Sequence, residues 1–231
     1  MTEAVPHPVT GSGGDGSEVP ASVRAQLLAT EHWSLLATRG MTWSEVMSRI
    51  SIQLTIASAS LVVLALVAQA SGFGTAFRVL SIGLSSAVLV LGTLTAVRVH
   101  NASTDDAAMV LGMNRLRAAY VEIDPSVERY LVTSRYDDVA GLMRSYTMGM
   151  PRSLLSHVVG STSFFMGTVN AIVAGTLGAL VANTAGGGAA VVAVVGTLSG
   201  LAYFGGVVAV GQRTFGSGPP EVRFPGPGGG S

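Results

Sequence analysis

The sequence predicts an all-α integral membrane protein with four transmembrane helices in two hairpins plus a cytoplasmic helical region. Three observations carry this prediction. Only 11% of the 231 residues are charged, less than half of the about 25% found in an average soluble domain. The mean hydropathy is +0.53. Four runs without a formal charge, 50–70, 79–97, 161–182 and 189–210, each approach the roughly 20 residues needed to cross a hydrocarbon core about 30 Å thick. A domain of this size could not wrap four such runs in polar surface. A β-barrel fits less well still, because the runs lack two-residue alternation.

The composition also excludes function classes. Thirteen bases, all Arg, balance thirteen acids, so no basic excess points to nucleic acid. The absence of Cys removes disulfides, thiolate metal sites, iron–sulfur clusters and cysteine nucleophiles together.

Taken in order, residues 1–21 are rich in Pro, Gly and Ser and read as a disordered arm. With no basic start followed by an apolar stretch, they do not form a secretory signal. Residues 22–49 turn helical. Leu28, Leu35 and Leu36 share a face with Trp33 beside them, which describes an amphipathic helix lying on the membrane surface or packed on the protein's own cytoplasmic part. Arg39-Gly40 is expected to break it. Thr42-Trp43-Ser44-Glu45 then fits a capping box that starts a second helix. The segment 50–98 holds the first hairpin, turned at 71–78 around Gly72 and Gly74.

Residues 99–153 form the cytoplasmic helical region. Thr104-Asp105-Asp106 looks like a helix start, followed by Met109, Met113, Leu116 and Tyr120 at helical spacing. Asp124-Pro125 reads as an N-cap with Pro at the first helical position, and Asp137-Asp138 as the start of a third helix ending at Gly149–Pro151. The second hairpin occupies 154–213, with His157 at the interface, the bilayer part near 161–182 and a turn at 183–188. Residues 214–231 read as a disordered Gly/Pro-rich tail.

Twelve Arg fall in the N-terminal, central and C-terminal polar segments, and only Arg78 falls in a turn between spans. The positive-inside rule therefore puts both termini and the central region in the cytoplasm, as for a multi-pass protein of the inner (plasma) membrane.

Catalytic and metal constellations are not called for. Asp105/Asp106 and Asp137/Asp138 with His100 could be imagined as a metal site, but they lack ligand spacing and read as helix caps. His7, His32, His100 and His157 are scattered, no Ser sits in a nucleophile elbow, and Gly186-Gly187-Gly188 lacks the Lys of a phosphate loop. No cofactor is expected. An enzyme acting on lipid through the four aspartates ranks last.

Inside the spans, Gly167, Ala171 and Gly175 recur every four residues and Gly196 and Gly200 form G-x-x-x-G; both place small residues where helix backbones can approach. The short turn between them favours pairing within the chain over dimerisation. Asn170 is the candidate intramembrane polar site, either lining a polar path or bonding to a neighbouring helix.

The string Met113-Asn114-Arg115-Leu116-Arg117-Ala118-Ala119-Tyr120, followed by Ile123-Asp124-Pro125, Glu128-Arg129-Tyr130 and Arg135-Tyr136-Asp137-Asp138, resembles a pattern in an uncharacterised family of actinobacterial multi-pass integral membrane proteins. The resemblance covers the central region and its flanking spans. It implies an inner-membrane location and carries no activity. The first hairpin with its helical extension is also loosely similar to two-span effector membrane domains of bacterial conflict systems, from which this chain departs by its second hairpin.

The expected function is that of a non-enzymatic scaffold or accessory protein, embedded in the lipid bilayer, whose cytoplasmic helices bind a protein partner around Arg115, Arg117, Tyr120, Arg129 and Tyr130. The alternative is an oligomeric channel or pore built from several copies, with Asn170 facing the lumen.

Overall fold

The structure, a computed structural model, describes residues 19–150, 153–215 and 221–227. Most of the expected N-terminal arm, Pro151-Arg152, the side chain of His157 and the remainder of the tail lie outside the described residues. Among the described residues every regular element is helical: α1 (Ala21–Ser71), α2 (Thr75–Ile123), a 3-10 turn (Pro125–Tyr130), α3 (Val139–Thr147), α4 (Leu154–Val159), α5 (Thr162–Thr184) and α6 (Ala189–Phe215). Four of them, α1, α2, α5 and α6, are long and apolar enough to cross a membrane.

The largest departure from expectation lies in α1 and α2, which are each one continuous helix of 51 and 49 residues. At 1.5 Å per residue they run about 76 and 74 Å, more than twice the thickness of a hydrocarbon core. Each therefore continues the apolar span into a polar extension, 21–49 in α1 and 98–123 in α2, and the two extensions pair as an antiparallel stalk. The break expected at Arg39-Gly40 does not occur. A mid-helix Gly costs about 1 kcal/mol relative to Ala, and tertiary contacts on either side offset it: Arg39 and Trp43 both bond to Asp106 of α2. The capping box is not formed, because Glu45 gives its carboxylate to Arg98 (2.7 Å) and Arg49 (2.8 Å) instead.

Continuity also corrects the expected helix start at Thr104-Asp105-Asp106. Thr104 donates back to the His100 carbonyl at 3.2 Å, inside an unbroken α2. Around Trp33 the helix packs on the protein's own α2, one of the two readings of this segment. Trp33 stands 17 residues before Ile50 on the same helix, about 26 Å along the axis, while Leu35 packs toward Gly112 of α2.

Elsewhere local signals act where they stand. Asp124 accepts from Ser126 N–H at 2.9 Å, with Pro125 opening the 3-10 turn. Asp138 caps α3 through Gly141 N–H at 2.6 Å. Gly160 ends α4, and Ser161 caps α5 through Phe164 N–H at 3.2 Å. The turns between spans use Gly72 at φ 64° and Gly186 at φ 85°, left-handed values that suit residues without Cβ.

Three helix pairings order the spans: α1 with α2, α5 with α6, and α2 with α5. At the base of the stalk Val46 and Ile50 of α1, Val99 and Ala102 of α2 and Met166 of α5 form one buried cluster, with Trp43 and Ala96 packed against it.

Candidate functional site

Two polar clusters sit on this frame, one outside the spans and one within them. The outer cluster is organised by two buried carboxylates. Asp106 receives Arg39 through Nε (2.6 Å) and Nη2 (3.3 Å), Trp43 Nε1 (2.7 Å) and the Tyr146 hydroxyl (2.8 Å), so one side chain ties α1, α2 and α3 together. Burial pushes its carboxyl up, and the hydrogen bonds from Arg39, Trp43 and Tyr146 more than reverse this, leaving it below the usual carboxylate range. Tyr146 moves the other way, raised by burial and by the negative charge of Asp106.

Asp137 is wholly buried. It accepts from Arg115 Nε at 2.7 Å and from the main-chain N–H groups of Arg223 (3.0 Å) and Phe224 (2.7 Å), while its own N–H donates to the Phe224 carbonyl at 3.1 Å. Burial opposes its charge, and Arg115 with the two N–H groups outweighs burial, so its carboxyl also stands low. Asp138 accepts from Gly226 N–H at 2.7 Å, and Arg115 Nη2 donates to the Glu221 carbonyl at 2.6 Å. Residues 221–227 of the tail expected to be disordered are thus docked on the stalk through their main chain. The expectation missed this because Gly/Pro-rich composition reports the lack of a core-forming side-chain set, whereas this docking uses backbone donors.

The residues expected to bind a partner divide between inside and outside. Arg115 is committed to Asp137 and the tail. Arg117 donates to Asn114 Oδ1 at 2.8 Å, and Asn114 is fully buried, also receiving Ser145 and donating to the Tyr136 carbonyl. Tyr120 stacks on His32 of α1 with ring centroids 5.9 Å apart and planes 3° from parallel. Burial, and then the charge of Arg117, hold the His32 imidazole below its ordinary range. Arg129 and Tyr130 face outward: Tyr130 is 69% exposed and the Arg129 guanidinium lies 4.9 Å over its ring.

The inner cluster draws one side chain from each spanning helix. Gln53 of α1 donates through Nε2 to Asn170 Oδ1 of α5 at 2.9 Å; Asn170 Nδ2 donates to the Tyr203 hydroxyl of α6 at 3.3 Å; that hydroxyl meets Thr93 Oγ1 of α2 at 3.0 Å. Gly92 makes room for the two amides, since a Cβ there would collide with Asn170 Oδ1 and Gln53 Nε2. Asn170 thus reaches three neighbouring helices through a connected network, with both ends of its amide engaged. Gln53, Thr93, Gly92 and Tyr203 were not singled out as its partners from sequence, although an uncharged Gln within the first span was the available signal for one of them.

The small residues of the second hairpin meet face to face. A Cβ on Gly175 would stand 3.0 Å from the Gly196 carbonyl oxygen, and one on Gly200 would stand 2.9 Å from that of Ala171. Gly178 against Ser199 continues the same seam. Gly167 is looser, its nearest contact from such a Cβ being Val207 at 3.6 Å.

Among the described residues no group of three or more His, Cys, Asp or Glu could hold a metal ion. The arrangement as a whole fastens helices together, using carboxylates outside the spans and amides with hydroxyls inside them. No family model, curated protein or solved structure matches the chain.

Proposed function

We propose that the protein is a non-enzymatic scaffold or accessory protein of the plasma (inner) membrane, with both termini in the cytoplasm, which presents its helical stalk to a protein partner. The observation that carries this reading is the separation within the central region. Arg115, Arg117 and Tyr120 are consumed by internal bonds, whereas Arg129, Tyr130 and Val132, 71% exposed, stand together just beyond the far end of α2. Tyr and Arg are the residue types that anchor protein interfaces most often. Asn170 spends its amide on Gln53 and Tyr203, which supports a packing role over a pore-lining one. The twelve Arg of the polar segments support the orientation, and the central motif supports a relation to the actinobacterial membrane proteins it resembles.

A photo-crosslinking residue at position 130 of the full chain in native membranes tests the binding reading. The expected result is a discrete adduct that Arg129→Ala removes; no adduct, or one indifferent to Arg129, would overturn it. Reporters inserted in the 71–75 turn and after residue 227 test orientation separately, and a cytoplasmic signal from the turn would reverse it.

A further inference from the structure

The outer side of α1 carries a second stripe that the fold does not use. Gln26, Thr30, Trp33, Ala37, Gly40, Ser44, Met47 and Ser51 recur in steps of three and four, and all eight are exposed. Trp33 is 71% and Met47 46% exposed, with Leu36 at 44% beside them. None of the eight is charged. The five charged residues of this part of α1, Arg24, Glu31, Arg39, Glu45 and Arg49, all lie more than about 100° round the helix from the centre of the stripe at 100° per residue. Four of them pair within the chain, Arg24 with Glu122, Arg39 with Asp106, and Arg49 and Arg98 both with Glu45.

Gly40 is the second, independent observation. A mid-helix Gly is costly. Gly83, Gly205, Gly206 and Gly211 also meet nothing, but they stand in helices apolar enough to span a membrane, where Gly is common, whereas Gly112, in the extension of α2 that pairs with this part of α1, admits Leu35. The Cβ that Gly40 lacks would meet nothing within 4 Å. Among the described residues nothing requires a Gly there.

We propose that this stripe is a self-association surface, on which two copies pair in parallel about a two-fold axis along the membrane normal. The occupant follows from the membrane and from charge. Copies inserted in one bilayer with one orientation present α1 in parallel, and a two-fold axis sets each residue of the stripe against its own counterpart. A charge anywhere on such a stripe would face its like, and the stripe has none. Its spacing is that of a heptad seam, with a period of 3.5. Gly40, flanked by Ala37 and Ser44, marks the closest approach; Trp33 and Met47 pack on either side. The seam from residue 26 to residue 51 is about 38 Å long, and at a width of about 12 Å it buries roughly 900 Å² over the two copies, close to the about 1,000 Å² of a specific interface. The bilayer supplies part of the remainder by fixing both chains in orientation before they meet.

The chain has no Cys, so single cysteines report the contact directly. In the full-length protein reconstituted in lipid vesicles, Ala37→Cys, Gly40→Cys and Ser44→Cys should form disulfide-linked dimers at least about fivefold more than Glu31→Cys and Thr38→Cys on the other face, the periodicity expected of a helix seam. Equal crosslinking at all five positions, a maximum on the other face, or no dimer at any position would overturn the proposal. Gly40→Arg is the second variant. Its side chain enters open space, so helicity by circular dichroism should be unchanged while the dimer dissociation constant rises at least about tenfold, as facing charges demand. A wild-type protein that is monomeric in vesicles, or a Gly40→Arg protein that dimerises as well as wild type, would also overturn it.

Discussion

The second hairpin and the stalk both join antiparallel helices, and they do so by opposite means. Between α5 and α6 the contact is made by what is missing: Gly175, Gly196 and Gly200 bring backbone within reach of backbone, and dispersion between close surfaces holds the pair in a medium where hydrophobic exclusion is absent. In the stalk the contact is made by what is present: Asp106, buried and surrounded by donors from α1 and α3, with Asp137, likewise buried, fastening the tail to α2. A buried carboxylate is costly until every donor is in place. A glycine seam tolerates small local rearrangement but no added volume. The difference teaches that each half has its own failure mode, and that the two are separable by mutation.

The sharpest way to break the comparison is at Asp106. Asp106→Ala should destabilise the stalk by about 4 kcal/mol, because it leaves Arg39, Trp43 and Tyr146 without their acceptor, while α5–α6 protection from hydrogen exchange stays unchanged. Trp43 lies on the lost bond, so a red shift of its emission reads the opening, and an unchanged spectrum with unchanged stalk protection would refute the role given to this carboxylate. The complementary variant is Gly200→Val. Adding volume against the Ala171 carbonyl should cost about 2 kcal/mol, and the loss should appear as faster exchange in α5 and α6 with the stalk intact. Equal loosening of both regions by either variant would mean that they form one cooperative unit.

A smaller effect sharpens the same contrast through pH. The His32 imidazole is held below its ordinary value by burial and by Arg117. A group that binds fewer protons folded than unfolded stabilises the fold above its unfolded pKa of about 6.5 and loses that contribution as pH falls through the folded value. Stalk stability should therefore decline modestly between pH 7 and pH 5, His32→Phe should flatten the decline, and the second hairpin should show none. A decline of the same size in His32→Phe would assign it to other groups.

The spans were legible because hydropathy over twenty residues is a sum that no single contact overrides. The caps at Asp124 and Asp138 were legible because their donors lie within three residues. Asp106 was misread for an instructive reason. A carboxylate after Thr104 wants donors, and the sequence supplies them locally in the form of a helix start; the fold supplies them from residues 63 and 67 positions upstream and 40 downstream. Continuous α1 and α2 were hidden by the same rivalry, with Gly40 and Thr42 giving stop and start signals that long-range bonds overrule. Asp137 is the extreme case, its main-chain donors lying 86 and 87 residues away in a segment whose composition alone says nothing of a binding site.

That last contact sets an order on biosynthesis. Asp137 is made between the second and third spans, and its main-chain partners follow the fourth. At 5–20 residues per second the ribosome takes roughly 4 to 17 s to make the intervening chain, during which the carboxylate has Arg115 but lacks its two main-chain donors. Completion of the Asp137 site is thus a record that every preceding span has been translated, and a chain stalled within the second hairpin would carry Asp137 paired with Arg115 alone as its mark.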